Sequence, residues 1–342
     1  MKRLIPALLS LLLILAGCTS RGFIVLSYNT ETFFDDVRNG TEFAEFNPDR
    51  GKWNSRLFRQ KLQAISRVLR EAVPGGADVI ALQEIENSNV LNQLNNNYLK
   101  SFNYKYAVLV PAAGSAINVA VLSRYPVSNV KVHNQQPFNK SPLRNILEVQ
   151  ITYNGSTLIL FNNHWKSKGE GAEVTEAARL ESADLVKRRI SSLLQENPAA
   201  DILVAGDFNE NPDEYILVKK AYQTALIPID ADSPPDFEKQ SLFISSTVPD
   251  CSPHPAGITL FEPWSALPGK GSYYYKGKWE QIDHILLSCG LSDSRGFSYR
   301  SFEVVKKPFM LNSRTGIPLR WDMKRGGFSD HLPVVVHLIT AE

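Results

Sequence analysis

This sequence of 342 residues lacks several features that would have assigned its class directly. It has no surplus of charge of one sign, because 37 lysines and arginines face 35 aspartates and glutamates. This balance excludes a globally basic nucleic-acid coat and an acidic solvating tail. The absence of a Gly-x-Ser-x-Gly elbow and of a glycine-rich phosphate loop leaves a serine hydrolase or a P-loop NTPase unsupported. With no repeat and no linker, the composition is that of an ordinary folded chain of one or two domains.

The N-terminus carries an export signal. Lys2 and Arg3 precede an apolar run of thirteen residues, 4–16, which is shorter than the roughly 20 residues that a membrane-spanning helix needs. The run ends in Leu15-Ala16-Gly17-Cys18, which resembles a bacterial lipoprotein signal, in which the cysteine is lipidated and becomes the mature N-terminus. An ordinary signal peptide with a chance cysteine is the less favoured alternative. We predict a signal peptide at 1–17, a lipidated Cys18 with a short tether over 18–21, and one domain over 22–342.

Processing at Cys18 changes the charge balance. Removal of Lys2 and Arg3 leaves 35 basic and 35 acidic residues, so the mature chain is formally neutral. Any affinity for nucleic acid would then come from a local groove and a bound metal. We predict an extracytoplasmic protein anchored to the bacterial cell envelope, and the absence of Asp after Cys18 favours the outer membrane of a Gram-negative host. Outside the cytoplasm Cys251 and Cys289 can pair, and two unpaired cysteines are an equally open alternative.

Apolar patterning predicts many strands and two long helices. One helix, capped by Asn54 or Ser55, runs to about residue 72, and the other covers about 172–195. Buried strands are predicted near 23–28, 78–83, 105–110, 117–123, 129–133, 145–153, 156–163, 201–206, 281–288 and 333–339. Residues 230–272 and 306–327 show little periodicity and are predicted to be irregular. Strands and helices do not alternate strictly, so we predict an α+β fold with paired sheets.

Polar residues stand at the ends of six predicted strands. A single polar residue at a strand end can be explained as a capping residue of the turn. Functional sites, however, are commonly built from loops at one edge of a scaffold. Four of these residues are carboxylates and two are amides, which are hard oxygen ligands that suit Mg²⁺, Mn²⁺ or Ca²⁺. Two histidines add donors for an anionic group, and the set as a whole suits phosphate chemistry. The residues are Glu31, Glu84, Asp207, Asp330, Asn29, Asn209, His164 and His331.

The ordered segments that carry these residues resemble the motifs of the endonuclease/exonuclease/phosphatase superfamily, the DNase-I-like fold. The segments are Ser27-Tyr28-Asn29-Thr30-Glu31, Leu82-Gln83-Glu84, Asn163-His164, Gly206-Asp207-Phe208-Asn209, Ile282-Asp283-His284 and Ser329-Asp330-His331. The resemblance covers about residues 22–340 and extends to secreted bacterial members in particular. It implies a four-layer α/β sandwich, with two mainly antiparallel sheets between helices. It also implies hydrolysis of a phosphoester with a divalent cation, Mg²⁺ or else Mn²⁺ or Ca²⁺.

The resemblance assigns a role to each motif residue. Glu84 resembles the principal metal ligand, with Asn29 and Glu31 beside it and Asp330 as a further metal-side carboxylate. The family often has Asp where this chain has the longer Glu31. Asp207 resembles the residue that orients or deprotonates the attacking water, and Asn209 resembles a phosphate ligand. His331 would contact the scissile phosphate and be kept charged by Asp283, and His164 matches a second phosphate-contacting position.

Other residues have two interpretations. Lys166 and Arg144 are candidate phosphate ligands, although a solvated lysine is an equal alternative for Lys166. Arg56, Arg59, Arg67 and Arg70 form a stripe on the first helix, for which a solvated face is favoured over a phosphate track. The favoured function is a monomeric nuclease-type phosphodiesterase acting on nucleic acid. A phosphatase, a sphingomyelinase-like phospholipid diesterase and a non-catalytic surface-binding lipoprotein are the alternatives.

Overall fold

The computed structural model describes residues 22–248, 258–267 and 269–340. The predicted signal peptide and Cys18 therefore lie outside the described residues. The strands, in chain order, are β1 (Gly22–Phe33), β2 (Val79–Ile85), β3 (Tyr106–Val110), β4 (Asn118–Ser123), β5 (Val127–His133), β6 (Ile146–Tyr153), β7 (Ser156–His164), β8 (Asp201–Asp207), β9 (Leu226–Pro228), β10 (Leu242–Ser245), β11 (Thr259–Phe261), β12 (Tyr273–Tyr275), β13 (Lys278–Glu280), β14 (Asp283–Leu287), β15 (Phe297–Val304) and β16 (Val334–Thr340). The α-helices are α1 (Ser55–Ala72), α2 (Ser88–Gln93), α3 (Ala172–Glu196) and α4 (Glu214–Leu217).

Two sheets form the centre of the fold. The first has the strand order β15-β16-β1-β2-β4-β3 and is antiparallel except for the pair β1 and β2. The second has the order β5-β6-β7-β8-β14-β11-β10-β9, with β7 and β8 parallel and β9, β10 and β11 parallel to one another. Strands β12 and β13 form a separate hairpin. Because both parallel pairs in the middle of the sheets end on polar motif residues, those residues meet at one edge of the sandwich.

Apolar clusters separate four layers. Val25 of β1 and Leu203 of β8 belong to one buried cluster, which therefore lies between the two sheets. Ile65 of α1 packs on the outer face of the first sheet, and Val186 and Ile190 of α3 pack on the outer face of the second. The order α1, sheet, sheet, α3 is the predicted four-layer sandwich, and the predicted fold class is confirmed.

Most predicted elements are present with bounds close to those expected. Helix α1 begins where the capping residue predicts, since the Asn54 side chain accepts hydrogen bonds from the backbone of Arg56 and Leu57 at 3.1 and 3.2 Å. The irregular region predicted over 230–272 is partly wrong, because β10 and β11 lie in it and extend the second sheet. Strand β15 was not predicted at all. Within the described residues, no helix combines the length and the apolar character needed to span a bilayer.

Irregularities in β1 and β2 change the direction of these strands near the polar motif residues. The register of β1 against β2 shifts between Asn29 and Phe33, and Glu31 there has φ 50°. The register of β2 against β4 shifts in the same way, and Glu84 has φ 62°. Bulges of this kind bend a strand and re-aim its side chains, so both acidic residues leave the regular alternation of their strands.

Glycine at position 206 permits the close approach of β7 and β8. Its φ is +136°, and a Cβ there would lie 2.0 Å from the Asn163 carbonyl oxygen. The close contact and the positive φ therefore both require glycine at the position before Asp207. In a distant part of the fold, Cys289 is disulfide-bonded. The other two cysteines of the chain, Cys18 and Cys251, lie outside the described residues.

Candidate active site

The strand ends and the loop before β16 enclose a cavity of about 600 Å³. It holds six carboxylates and two lysine or arginine side chains, so it is strongly acidic. The lining residues are Glu31, Thr32, Glu45, Phe46, Glu84, His164, Ser167, Asp207, Asn209, Tyr273, Arg320, Trp321, Asp322, Met323, Lys324, Asp330 and His331. The cavity thus brings together predicted site residues from β1, β2, β7, β8 and the last loop.

His331 and Asp283 form a buried pair at the floor of this cavity. The His331 Nδ1 atom lies 2.8 Å from Asp283 Oδ2, a distance typical of a charge-assisted hydrogen bond. Burial by itself lowers the pKa of His331, but the carboxylates of Asp283 and Asp207 outweigh it and raise that pKa well above its usual value. The ring of Tyr273 stacks on the imidazole with centroids 4.6 Å apart. His331 is therefore held as an oriented cation whose Nε2 remains available to the cavity.

Asp207 lies at the centre of the hydrogen-bond network. Its Oδ2 accepts a hydrogen bond from Asn29 Nδ2 at 2.9 Å, and its Oδ1 accepts one from the Asn209 backbone at 2.9 Å. Its Oδ2 also lies 3.8 Å from His331 Nε2. Burial raises the pKa of Asp207 to about 7, against the opposing effect of the His331 cation. A carboxylate whose pKa lies near neutrality can accept a proton and release it again.

His164 is the second imidazole of the site, and its environment differs from that of His331. Its Nε2 lies 3.6 Å from Asp207 Oδ2 and 3.8 Å from Glu84 Oε1. Burial lowers the pKa of His164 well below its usual value, and the charges of Arg144 and His331 lower it further. His164 is thus a neutral imidazole, with one N–H donor and one acceptor nitrogen.

Glu84 is more open to the cavity than Asp207 or Glu31. Its side chain is 17% exposed, and its Oε1 accepts a hydrogen bond from Asn29 Nδ2 at 3.3 Å. Its Oε2 accepts a hydrogen bond from the Thr32 backbone at 2.5 Å, and the Asn29 Oδ1 atom accepts one from the Glu31 backbone at 3.0 Å. A carboxylate that faces a cavity fits the hard-ligand preference of Mg²⁺, Mn²⁺ or Ca²⁺. In the same part of the described structure, ligating atoms of Asp207, Asp283 and His331 all lie within 4.8 Å of one another. Asp283 and His331 in this group already share a hydrogen bond, whereas Glu84 Oε1 faces the cavity.

Glu31 has a different set of contacts. Its Oε1 accepts a hydrogen bond from Arg320 Nε at 3.0 Å, and its Oε2 accepts from the backbone of Trp321 and Asp330 at 2.7 and 3.1 Å. Burial raises the pKa of Glu31, and the neighbouring Asp330 carboxylate raises it further. Both carboxylate oxygens therefore anchor the loop that precedes β16. The predicted role of Glu31 as an ion ligand stays a prediction.

Lys166 and Arg144 do not line the cavity. The Lys166 ammonium donates to Glu170, and the Arg144 guanidinium donates to the Trp165 carbonyl. Arg144 still acts on the site through its charge, which lowers the pKa of His164. His284 is buried, with its Nδ1 2.5 Å from Glu262 Oε2.

Two cationic residues at the site were missed by sequence reasoning. Arg320 lines the cavity and lies 2.9 Å from Glu31, but it occurs in an irregular segment without a motif. Lys61 is fully buried, donates to the Phe328 carbonyl at 2.8 Å, and has its pKa lowered by burial to about 8. A signal for Lys61 was present, because a lysine four residues before Ile65 falls on the apolar stripe of α1.

Comparisons with known proteins agree with this description. A model of the Endonuclease/Exonuclease/phosphatase family matches residues 24–225 of the chain, and no curated protein sequence matches it. The structure of D. rerio TDP2 complexed with single strand DNA product is 14% identical, with a TM-score of 0.53 over 93% of this chain and 99% of that chain. An endonuclease/exonuclease/phosphatase family protein from Bacteroides thetaiotaomicron is 16% identical, with a TM-score of 0.52 over 94% and 99%. The beta toxin 275-280 from Staphylococcus aureus is 17% identical, with a TM-score of 0.51 over 92% and 99%.

Proposed function

The chain belongs to the endonuclease/exonuclease/phosphatase family, and from that premise we propose that it is a divalent-metal-dependent phosphodiesterase acting on nucleic acid outside the cytoplasm. The observation that carries the proposal is the buried Asp283–His331 pair facing Asp207 across the cavity floor. An oriented cation beside a carboxylate with a pKa near 7 supplies a donor for phosphate and an acceptor for a water proton. The structure of a DNA-bound protein of the same fold supports nucleic acid as the substrate class.

The residues divide the reaction between them. Asp207 accepts a proton from the attacking water, whose oxygen forms the new P–O bond while the bond to the leaving alcohol breaks. His331 donates a hydrogen bond to a non-bridging phosphate oxygen, where negative charge develops in the transition state. His164 offers a neutral N–H to the same group, and Asn29 keeps Asp207 in place through the 2.9 Å hydrogen bond. The departing oxygen takes its proton from solvent.

A cation would be held close to the two histidines, since Glu84 lies 3.8 Å from His164 Nε2 and Asp330 lies 3.9 Å from His331 Nε2. Glu84 and Asp330 are the two of the six cavity carboxylates that we assign to the ion, and Asn29 Nδ2 orients Glu84 through a 3.3 Å hydrogen bond. When bound there, a divalent ion would neutralise charge on the phosphate and on the leaving oxygen.

The test is hydrolysis by the purified protein of plasmid DNA, RNA and the small diester bis(4-nitrophenyl) phosphate. We expect activity with Mg²⁺ or Mn²⁺, loss of activity in EDTA, and a fall of about 100- to 1000-fold in His331→Ala and Asp207→Asn. His337→Ala is the matched control, because this histidine lies in β16 outside the cavity. Absence of turnover with every one of these substrates and ions would refute the proposal and favour a non-catalytic binding protein.

The same chemistry would serve a phosphatase or a phospholipid diesterase. Sphingomyelin and inositol phosphates assayed beside the nucleic acids separate these alternatives, since the loops around a shared scaffold set specificity. Faster turnover of either alternative substrate than of DNA and RNA would replace the nuclease assignment.

Export and anchoring are a separate part of the proposal. The motivation is the run from Lys2 to Cys18, with small residues just before the cysteine. We expect the protein in the membrane fraction of its bacterial host and labelled there by radioactive palmitate. Cys18→Ala should remove the label, and an unchanged label in that variant would contradict lipidation at Cys18.

A further inference from the structure

A second groove adjoins the active-site cavity. It has a volume of about 360 Å³ and lies between the exposed face of α1 and the loop before β16. Its walls are Arg56, Gln60, Gln63, Ala64, Arg67, Trp321, Lys324, Arg325, Gly326, Gly327 and Phe328. Trp321 and Lys324 also line the active-site cavity, so the two spaces are neighbours that share these two residues. We call this second space the α1 groove.

The α1 groove is opposite in charge to the cavity beside it. Arg56, Arg67, Lys324 and Arg325 contribute four cations, and none of the residues lining the groove is a carboxylate. Two of these cations have acidic neighbours outside the lining: Arg67 Nε lies 2.8 Å from a Glu71 oxygen, and Arg325 Nε lies 3.6 Å from an Asp322 oxygen. After these pairings the groove still carries a net positive charge, next to a cavity with six carboxylates.

The spacing along α1 suits an extended ligand. Arg56, Gln60, Gln63 and Arg67 stand at intervals of four, three and four residues, which places them on one face of the helix. Arg56 and Arg67 are eleven residues apart, or about 16 Å along the helix axis. A B-form strand passes about five nucleotides over that length. The Arg67 guanidinium also lies over the Phe309 ring at 4.0 Å, which limits its freedom before any ligand binds.

We propose that the α1 groove binds the phosphate backbone of a nucleic acid chain whose scissile bond lies in the active-site cavity. The inference rests on the proposed phosphodiesterase function and narrows its substrate to a polymer. A small phosphoester bound in the cavity would not extend to Arg56 or Arg67, whereas a chain of several nucleotides would reach both. Because Trp321 and Lys324 belong to both linings, a chain bound in one space would pass over these two residues to reach the other.

The test compares two double variants of α1 with the same loss of charge. Arg56→Gln/Arg67→Gln removes both helix cations of the groove, and Arg59→Gln/Arg70→Gln removes two exposed arginines of the same helix that do not line it. The probe is a fluorescein-labelled single-stranded DNA of 20 nucleotides, bound in EDTA so that it is not cleaved and followed by anisotropy from 0.05 to 1 M NaCl. Thermal unfolding of both variants checks that they fold.

The expected effect follows from counterion release. Each lost phosphate contact lowers the slope of log Kd against log salt by about 0.7 for a single strand, so the groove variant should lose about 1.4. Extrapolated from 1 M to 0.1 M salt, this is a weakening of about 25-fold. The control variant should bind like the wild type, and kcat/KM for bis(4-nitrophenyl) phosphate should be unchanged in both.

The outcomes separate this inference from the proposed function. Equal salt slopes in the groove variant and the wild type, or an equal loss in the control variant, would overturn the inference while nuclease activity stands. Binding of DNA through the groove without cleavage would support the inference and reject the nuclease. Failure of the wild type to bind the DNA would overturn the inference even if small diesters are hydrolysed. The groove variant is also tested on phosphatidylglycerol vesicles. If it lost vesicle binding but bound DNA like the wild type, the inference would also be overturned.

Discussion

Replacement of Asp283 by Asn tests the part of the site on which the chemistry depends most. An amide keeps an oxygen that can accept from His331 Nδ1, so the 2.8 Å contact and the ring orientation are preserved while the charge is removed. The charged and titratable groups around the imidazole are Asp283, Asp207, Asp330, Glu280 and Tyr273. Asp283 makes the largest of the contributions that raise the pKa of His331, against the lowering effect of burial.

The sign and size of the effect follow from this balance. Because Asp283 raises the pKa of His331, its neutralisation lowers that pKa, and the imidazole loses its proton at a lower pH than in the wild type. A hydrogen bond to a charged group contributes about 1.5–3 kcal/mol, which corresponds to roughly 10- to 100-fold in a protonation equilibrium. Asp283→Asn should therefore lose about that factor in kcat/KM at pH 8 to 9, and much less at pH 6.

The assay is kcat/KM for bis(4-nitrophenyl) phosphate from pH 5.5 to 9.5 at saturating Mg²⁺. Glu262→Gln is the matched control, because Glu262 forms the same kind of buried carboxylate–imidazole pair with His284, outside the cavity. That variant should lose stability without moving the alkaline limb of the profile. Parallel profiles for the wild type and Asp283→Asn would refute the argument that His331 acts as a cation maintained by Asp283.

Three further predictions concern the support of the site. Glu31→Gln should weaken the attachment of Arg320 and the loop before β16 by about 1–3 kcal/mol. Limited proteolysis of that loop should therefore be faster than in the wild type, and an unchanged rate of cleavage would contradict the anchoring role of Glu31. Gly206→Ala should cost at least about 2 kcal/mol in urea unfolding, because its Cβ meets a carbonyl oxygen. Gly277→Ala, with open space around its Cβ, should cost less, and equal losses would contradict the clash. Arg179→Met should lower the free energy of unfolding by about 3 kcal/mol or more, because it leaves the buried carboxylates of Glu176 and Glu210 without their cation. A urea unfolding midpoint equal to that of the wild type would contradict this prediction.

The strand ends were predictable because each one is a local pattern. A run of buried apolar residues that stops at Asn29, Glu84 or Asp207 marks both the strand and the polar residue that follows it. Hydrophobic spacing also defined α1 and α3 to within a residue or two at each end. In these segments local propensity and the final fold agree, which is why sequence alone was sufficient.

The features of the site that could not be predicted from the sequence depend on contacts between distant segments. Glu31 and Arg320 are 289 residues apart in the chain, and the bulge that turns Glu31 toward Arg320 leaves no mark in the pattern of apolar residues. The arginine stripe of α1 gives another case. Which of its members face a groove is decided by the loop that carries Lys324, and helix periodicity carries no information about that wall.

The course of β1 has a consequence for how the predicted anchor would present the enzyme. The strand enters the sheet at Gly22, pairs there with the end of β16, and reaches the cavity edge only at Asn29. Seven extended residues separate these points, a span of about 23 Å. Gly22, the described residue nearest to Cys18 in the chain, and the catalytic opening thus lie toward opposite ends of the sandwich. If acylation of Cys18 held the Gly22 end near a bilayer, the cavity would open to the surrounding fluid, and molecules arriving from that fluid would reach it more readily than lipids of the same leaflet.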